Sequence, residues 1–255
     1  MIGNLKKHIF AGGKVSEDES GTYLLELPLL EKEVYGLAQM DNYMHLHRSR
    51  FPHTAPISLT LDARVSTRDM PGTWGFGFWN DPFSYGFSAG GMKRILPVLP
   101  NAAWFFYGSP TNHLSLRDDL PSKGFHAKTF RSPLIPSIFS LLALPGIPML
   151  FCPPISRLFR RFARVLVHED GSAIDLDVRE WHTYHLSWQI ENVIFSIDGQ
   201  LIMKAPISPN GNLGLVIWID NQFFRFDDKG RIGFGYLPTK TKQSLSIRNI
   251  SLARH

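Results

Sequence analysis

Trp181-His182-Thr183-Tyr184-His185-Leu186-Ser187-Trp188, followed after four residues by Val193-Ile194-Phe195-Ser196-Ile197-Asp198-Gly199-Gln200, decides how this chain folds. Both stretches read as strands. Asp198-Gly199 sits between the run 193–197 and the run 200–205, where Asp and Gly tolerate the positive φ of a type I′ hairpin turn. Further strand-like runs lie at 23–27, 43–48, 57–66, 72–79, 102–107, 125–131, 174–178, 213–219 and 245–252. Ile57-Ser58-Leu59-Thr60-Leu61-Asp62 and Leu245-Ser246-Ile247-Arg248 alternate apolar and polar residues, as half-buried strands require. Pro209-Asn210-Gly211-Asn212 marks another turn. A dozen short strands separated by turn chemistry predict an all-β sandwich or barrel.

The 255 residues are 44% hydrophobic and 19% charged, enough to build one sizeable core, and residues 1–255 are read as one domain. The net charge of +5 is spread along the chain, so a nucleic-acid partner is not expected. Cys152 is the only cysteine, which excludes an intrachain disulfide and a finger-type metal site. It is expected to be a buried, unreactive thiol. Only Ile9-Phe10-Ala11 follows Lys7 before Gly12, too short for the apolar part of a signal peptide, so a cytoplasmic protein is expected. Gly75 and Gly77 do not open a helix, so they do not read as a phosphate loop, and neither a cofactor nor a metal ion is expected.

Residues 132–167 break the β pattern. From 132 to 156 there is no charged residue, but six prolines argue against a membrane-spanning helix. A short helical piece is expected over 137–144. Beyond Pro154, Ile155, Leu158, Phe159, Phe162, Val165 and Leu166 recur at helical spacing on one face, with Arg157, Arg160, Arg161 and Arg164 on the other. The segment reads as an apolar hairpin and a basic amphipathic helix inserted into the sandwich. Phe139, Leu142, Leu158, Phe159, Arg160, Arg161 and Phe162 are its candidates for a lid or a membrane-contacting surface; packing of the insert on the protein's own sheet is the plainer alternative.

The opening strand pair resembles the "F-H-x-Y-x-x-x-W … I-x-F-x-x-D-G" pair of family-16 glycoside hydrolases, the laminarinases and their relatives, and of related concanavalin A-like lectin domains. Ile57–Val65 followed by Gly72-Thr73-Trp74-Gly75-Phe76-Gly77-Phe78-Trp79 is similar to that family's paired strands ending in an aromatic pair. The resemblance implies a concanavalin A-like jelly roll of two antiparallel sheets. The family's catalytic strand carries E-x-D-x-x-E or E-x-D-x-E, placing a nucleophile and an acid/base about 5–5.5 Å apart on one strand face. The corresponding strand here is Asn101-Ala102-Ala103-Trp104-Phe105-Phe106-Tyr107, with no carboxylate on either face. Asp118 and Asp119 are adjacent and would point to opposite sides of a strand. The resemblance thus implies a cleft without the usual hydrolytic pair.

Several residues could carry chemistry in such a cleft. Trp218-Ile219-Asp220-Asn221-Gln222 ends an apolar strand, with Trp218 and Asp220 on one face. A carboxylate buried beside Trp218 would have a raised pKa and could donate a proton, so Asp220 is the candidate acid/base and His126 a weaker one. Trp79, Asn80, Trp104, Tyr107, Trp218, Asn221 and Gln222 are candidate ligand contacts, since aromatic faces stack on sugar rings and also line apolar pockets. A polar turn ending the strand is the competing account of 220–222. His182 reads as a hydrogen-bonded structural histidine, His182 and His185 face opposite sides, and His168-Glu169-Asp170-Gly171 reads as a solvated turn. Three functions stay open: non-hydrolytic binding of a glycan, glycolipid or other partly apolar ligand; an enzyme or carrier for an apolar small molecule with 132–167 as lid, or a divergent glycoside hydrolase; and peripheral membrane recruitment through 132–167.

Overall fold

The structure is a computed structural model that describes residues 5–31, 34–82, 96–140 and 152–254. In chain order its strands are Lys6–Phe10 (β1), Lys14–Glu17 (β2), Tyr23–Leu27 (β3), Leu37–Asp41 (β4), Ile57–Val65 (β5), Thr73–Trp79 (β6), Ala102–Gly108 (β7), Gly124–Arg131 (β8), His168–Ala173 (β9), His182–Trp188 (β10), Val193–Ile197 (β11), Gln200–Ala205 (β12), Gly214–Asp220 (β13), Gln222–Phe226 (β14), Ile232–Tyr236 (β15) and Gln243–Arg254 (β16). Among the described residues there is one α-helix, Pro153–Leu166 (α1), which precedes β9. Two seven-stranded antiparallel sheets form a jelly-roll sandwich. The site-bearing sheet runs β1-β4-β13-β6-β7-β8-β9 and the backing sheet β12-β11-β10-β5-β16-β3-β2; β14 and β15 form a separate hairpin.

The hairpin that opened the sequence reading is built as expected. Tyr184 pairs with Ile197 and Trp188 with Val193, and Asp198 and Gly199 have φ of 50° and 77°. His182 Nδ1 lies 2.6 Å from Asp198 Oδ2, so this histidine ties the turn to β10. In β5, Ile57, Leu59, Leu61, Ala63 and Val65 enter the core between the sheets, while Thr60 and Asp62 face outward. Phe76, Phe105, Phe195, Tyr184, Leu186 and Ile217 meet in that core, and each buried aromatic or branched aliphatic chain contributes roughly 1.5–3 kcal/mol.

The departures from the sequence reading are local. Residues 43–48 are not a strand: Asp41 Oδ1 accepts hydrogen bonds from the Tyr43 and Met44 amides and turns the chain at the end of β4. The strand expected at 174–178 lies earlier, as β9, so the 168–171 stretch is not a solvated turn; Glu169 is buried in it. Cys152 is exposed at the start of α1, not buried, because Pro153 and Pro154 begin the helix at the surface. Residues 137–140 make one 3-10 turn; the rest of the expected 137–144 helix, including Leu142, lies outside the described residues.

Candidate functional site

The central strands of the site-bearing sheet, β4, β13, β6, β7 and β8, are buried on both faces. The sheet's inner face packs on the second sheet. On its outer face lies a cavity of about 390 Å³. Strand alternation decides which side chains see it. In β7, Ala103, Phe105 and Tyr107 point into the core, whereas Ala102, Trp104 and Phe106 point outward. From β13 come Trp218 and Asp220, from β6 Thr73 and Trp79, and from β8 His126, Lys128 and Phe130. Between Thr73 and Trp79 the outer positions of β6 are Gly75 and Gly77. A Cβ at Gly75 would sit 2.8 Å from Trp218 Cη2, and one at Gly77 would sit 2.6 Å from Trp104 Cα. Gly75 therefore leaves room for the Trp218 indole, and Gly77 for the close approach of the β7 backbone at Trp104. The Trp79 and Trp218 rings stack 5° from parallel at 6.2 Å, and Trp104 lies within 5.7 Å of both.

Polar groups are few and their surroundings differ. The Trp218 indole N–H donates to Thr73 Oγ1 at 2.9 Å, and that hydroxyl donates to Asp220 Oδ1 at 2.7 Å. The Thr73 and Gln222 amides also donate to Oδ1, each at 3.2 Å. No cation is among these partners, and burial outweighs the hydrogen bonds, pushing the Asp220 carboxyl up to about 7. Burial raises the Tyr35 hydroxyl, beside the same carboxylate, well above the usual phenol range. His126 is fully buried. Its Nδ1 donates to the Gly124 carbonyl at 3.1 Å, and its Nε2 has no hydrogen-bond partner among the described residues. Burial and then the Lys128 charge lower it to about 3, so the ring is neutral with Nε2 as an acceptor.

At the other end of the cavity the charges are paired. Lys128 Nζ lies 3.1 Å from Glu169 Oε2, both side chains buried. Ser115 Oγ donates to Glu169 Oε1 at 3.0 Å, and Lys128 also reaches the Pro121 carbonyl at 3.2 Å. The rim is formed by α1 and the β14–β15 hairpin, where Phe159 and Phe226 meet at 6.3 Å. Arg160 is buried: it donates to Asp118 and, at 2.9 Å, to the Ser115 carbonyl. Arg164 donates to the Leu116 carbonyl and Asp118.

The structure thus brings Trp79, Trp104, Trp218, Gln222, Asp220 and His126 around one cavity, and Phe159 onto its rim. Three expected ligand contacts do not belong to it. Tyr107 points into the core, where it stacks on Trp74 and donates to the Met70 carbonyl; it stands three residues from Trp104 in an extended strand and so must face the other way. Asn80 bridges the Leu99 carbonyl and the Asn101 amide. Asn221 is fully buried, accepting from the Gly36 amide and donating to the Val34 and Leu237 carbonyls. Of the basic face of α1, Arg160 points inward and Arg164 lies half-buried, because carbonyls and Asp118 on the 115–118 loop take up their donors; Arg157 and Arg161 stay exposed. Thr73, Phe106, Lys128, Phe130 and Glu169 were not anticipated. Counting by two from Trp104 and His126 finds Phe106, Lys128 and Phe130; nothing in His168-Glu169-Asp170-Gly171 marks Glu169 as buried. Among the described residues no group of three His, Cys, Asp or Glu side chains is placed to hold a metal ion.

No family model and no curated protein matches this sequence. Solved structures share the fold. A glycoside hydrolase family 16 endo-glucanase from Bacteroides ovatus, in complex with G4G3G-2F-DNP, aligns over 94% of this chain and 85% of its own length, with a TM-score of 0.51 and 11% identity. A pseudo beta-1,3-glucanase of Mycobacterium tuberculosis, also described as an immunostimulatory antigen, aligns over 94% and 78%, with a TM-score of 0.50 and 10% identity. At such identities the likeness is one of fold.

Proposed function

We propose that the domain binds a partly apolar small molecule or glycoconjugate in the outer-face cavity and does not hydrolyse glycosidic bonds by a carboxylate pair. One observation carries this reading: Asp220 is the only carboxylate among the described residues that line the cavity. Retaining and inverting glycosidases both need two carboxyl groups, about 5–5.5 Å or about 6.5–9.5 Å apart. Glu169, a buried carboxylate beside the lining residue Lys128, is neutralised by it. The ligand's apolar or ring face would lie on Trp79, Trp104 and Trp218, and a hydroxyl would meet Asp220 or the His126 acceptor.

A second reading rests on Asp220 itself. A carboxyl near 7 is half protonated at neutral pH and can give or take a proton, so the same cavity would support acid/base chemistry on an apolar substrate. The test of binding is tryptophan emission titrated with octyl glucoside, a neutral sugar on an alkyl chain, and with cello-oligosaccharides. Saturable quenching is expected, weakened roughly tenfold or more in Trp218→Ala, since one buried aromatic contact carries that much. Flat titrations with every compound would overturn the binding reading.

A further inference from the structure

Nine of the sixteen exposed large apolar side chains among the described residues lie between Leu134 and Leu166. Five of them are on α1; Phe159 lies on the side that borders the cavity, and Leu158, Phe162 and Val165 face outward. With Ser156 and Arg160 buried and Arg164 held by Leu116 and Asp118, a 100° step per residue turns Leu158, Phe162 and Val165 to solvent; they are 53%, 64% and 71% exposed. This reverses the usual arrangement of a surface helix. The inversion is held in place: rotating α1 to hide its apolar face would strip Arg160 of the Ser115 carbonyl and Asp118.

The second part of the surface is nearby in the fold. Arg131, the last residue of β8, pairs with His168, the first of β9, so residues 132–140 and the end of α1 leave the same end of the sheet. Leu134, Ile138 and Phe139 are exposed there. In sequence both parts adjoin the run 132–156, which has no charged residue. A monomeric protein rarely shows so large a concentration of apolar side chains to water without a use for it. Arg157 and Arg161 are exposed beside this face and make no ion pair among the described residues.

The geometry points to docking of this face on a lipid bilayer that carries anionic headgroups, with the cavity taking its ligand from the membrane leaflet. Charge decides the occupant. Apolar side chains flanked by unpaired guanidinium groups suit acyl chains beneath phosphate headgroups. A two-fold contact with a second copy would instead gather the Arg157 and Arg161 charges of both chains in one interface. The inference deepens the binding reading above and, in its second clause, rests on it. The inner side of α1 borders the cavity through Phe159, Ala163 and Val167, and its outer side carries the lipid face. An alkyl chain leaving the bilayer would meet the cavity about one helix diameter away, some 10–12 Å.

The test is co-sedimentation of the full chain with vesicles of phosphatidylcholine alone and of phosphatidylcholine with one third phosphatidylglycerol. Wild type should bind the anionic vesicles more tightly. Leu158→Asp/Phe162→Asp should lower partitioning roughly tenfold to a hundredfold. Ile190→Asp, at an exposed apolar residue of the β10–β11 turn, should partition like wild type. Arg157→Glu/Arg161→Glu should abolish the preference for anionic vesicles. Wild type remaining in the supernatant with both vesicle types, or undiminished binding by Leu158→Asp/Phe162→Asp, would overturn the proposal. So would a lipid-free dimer in sedimentation velocity that the same double variant dissociates. Octyl glucoside titration of that variant in vesicle-free buffer separates the two readings: quenching retained while vesicle binding is lost supports docking with the cavity intact, and vesicle binding without quenching in wild type retains the docking and removes the cavity from it.

Discussion

Phe105 and Phe106 are neighbours in β7 and both are buried, but they are buried by different things. Phe105 meets Tyr184 at 5.1 Å and Phe195 at 5.2 Å across the sandwich, where the backing sheet packs on it. Phe106 stands on the outer face beside Trp218 and His126, under a rim of helix and hairpin that does not fill the space below it. The two faces are alike in aromatic content and differ in polar content. The inner face excludes charge, whereas the outer face carries Asp220, His126 and Lys128. Where no second sheet packs, buried polar groups are kept in one of two ways: in pairs, as with Lys128 and Glu169, or at an altered pKa, as with Asp220.

The largest effect that would break this comparison is a difference between adjacent alanines. Phe105→Ala should cost about 3–5 kcal/mol in urea unfolding. Phe106→Ala should cost clearly less, because its neighbours already border empty space. Equal losses would mean that the outer face is packed like the inner one. Next comes Lys128→Met, expected to cost about 3 kcal/mol, at the low end for breaking a buried pair because Ser115 Oγ still donates to Glu169. Lys128→Met/Glu169→Leu should recover most of that loss. A double variant no more stable than the single one would show that the pair does more than satisfy itself.

A third effect depends on pH. The folded-state pKa of Asp220, about 7, lies above its ordinary 3.8, so the folded chain holds a proton that the unfolded chain releases. Asp220 therefore contributes no penalty at pH 4, and stability falls as pH rises between about 4 and 7. Asp220→Asn should leave the Tm unchanged at pH 4 and raise it at pH 8. A Tm difference independent of pH would place the Asp220 carboxyl in a wetter, less perturbed setting than the Thr73–Trp218 chain implies.

Reading the sequence went furthest where one face of a strand is wet. β5, β10, β11 and β16 belong to the backing sheet, whose outer face is open to solvent, and their alternation is plain. It went less far at β9, because Glu169 is buried only as the counter-ion of Lys128, some forty residues away, and a polar run gives no sign of such a partner. The strands β14 and β15 were missed for a related reason: they form a hairpin apart from the two sheets, with β14 bridged to His113 and bordering the cavity, so their burial pattern does not follow a two-residue period. Asp220 was legible as a carboxylate beside Trp218 at a strand end. Asn221, next to it, was misread, because its three backbone contacts come from segments distant in sequence.

By itself the sequence determined the all-β class, the Asp198-Gly199 hairpin, the alternation of the backing strands and an amphipathic helix after Pro154, since each depends on residues close together in the chain. Only the tertiary structure decided which side of β7 is the cavity wall, that Lys128 and Glu169 meet, and that α1 turns Arg160 inward. Those outcomes depend on what stands opposite each face. A periodic pattern defines two sides of an element, and the surrounding fold determines which of them meets protein and which meets solvent.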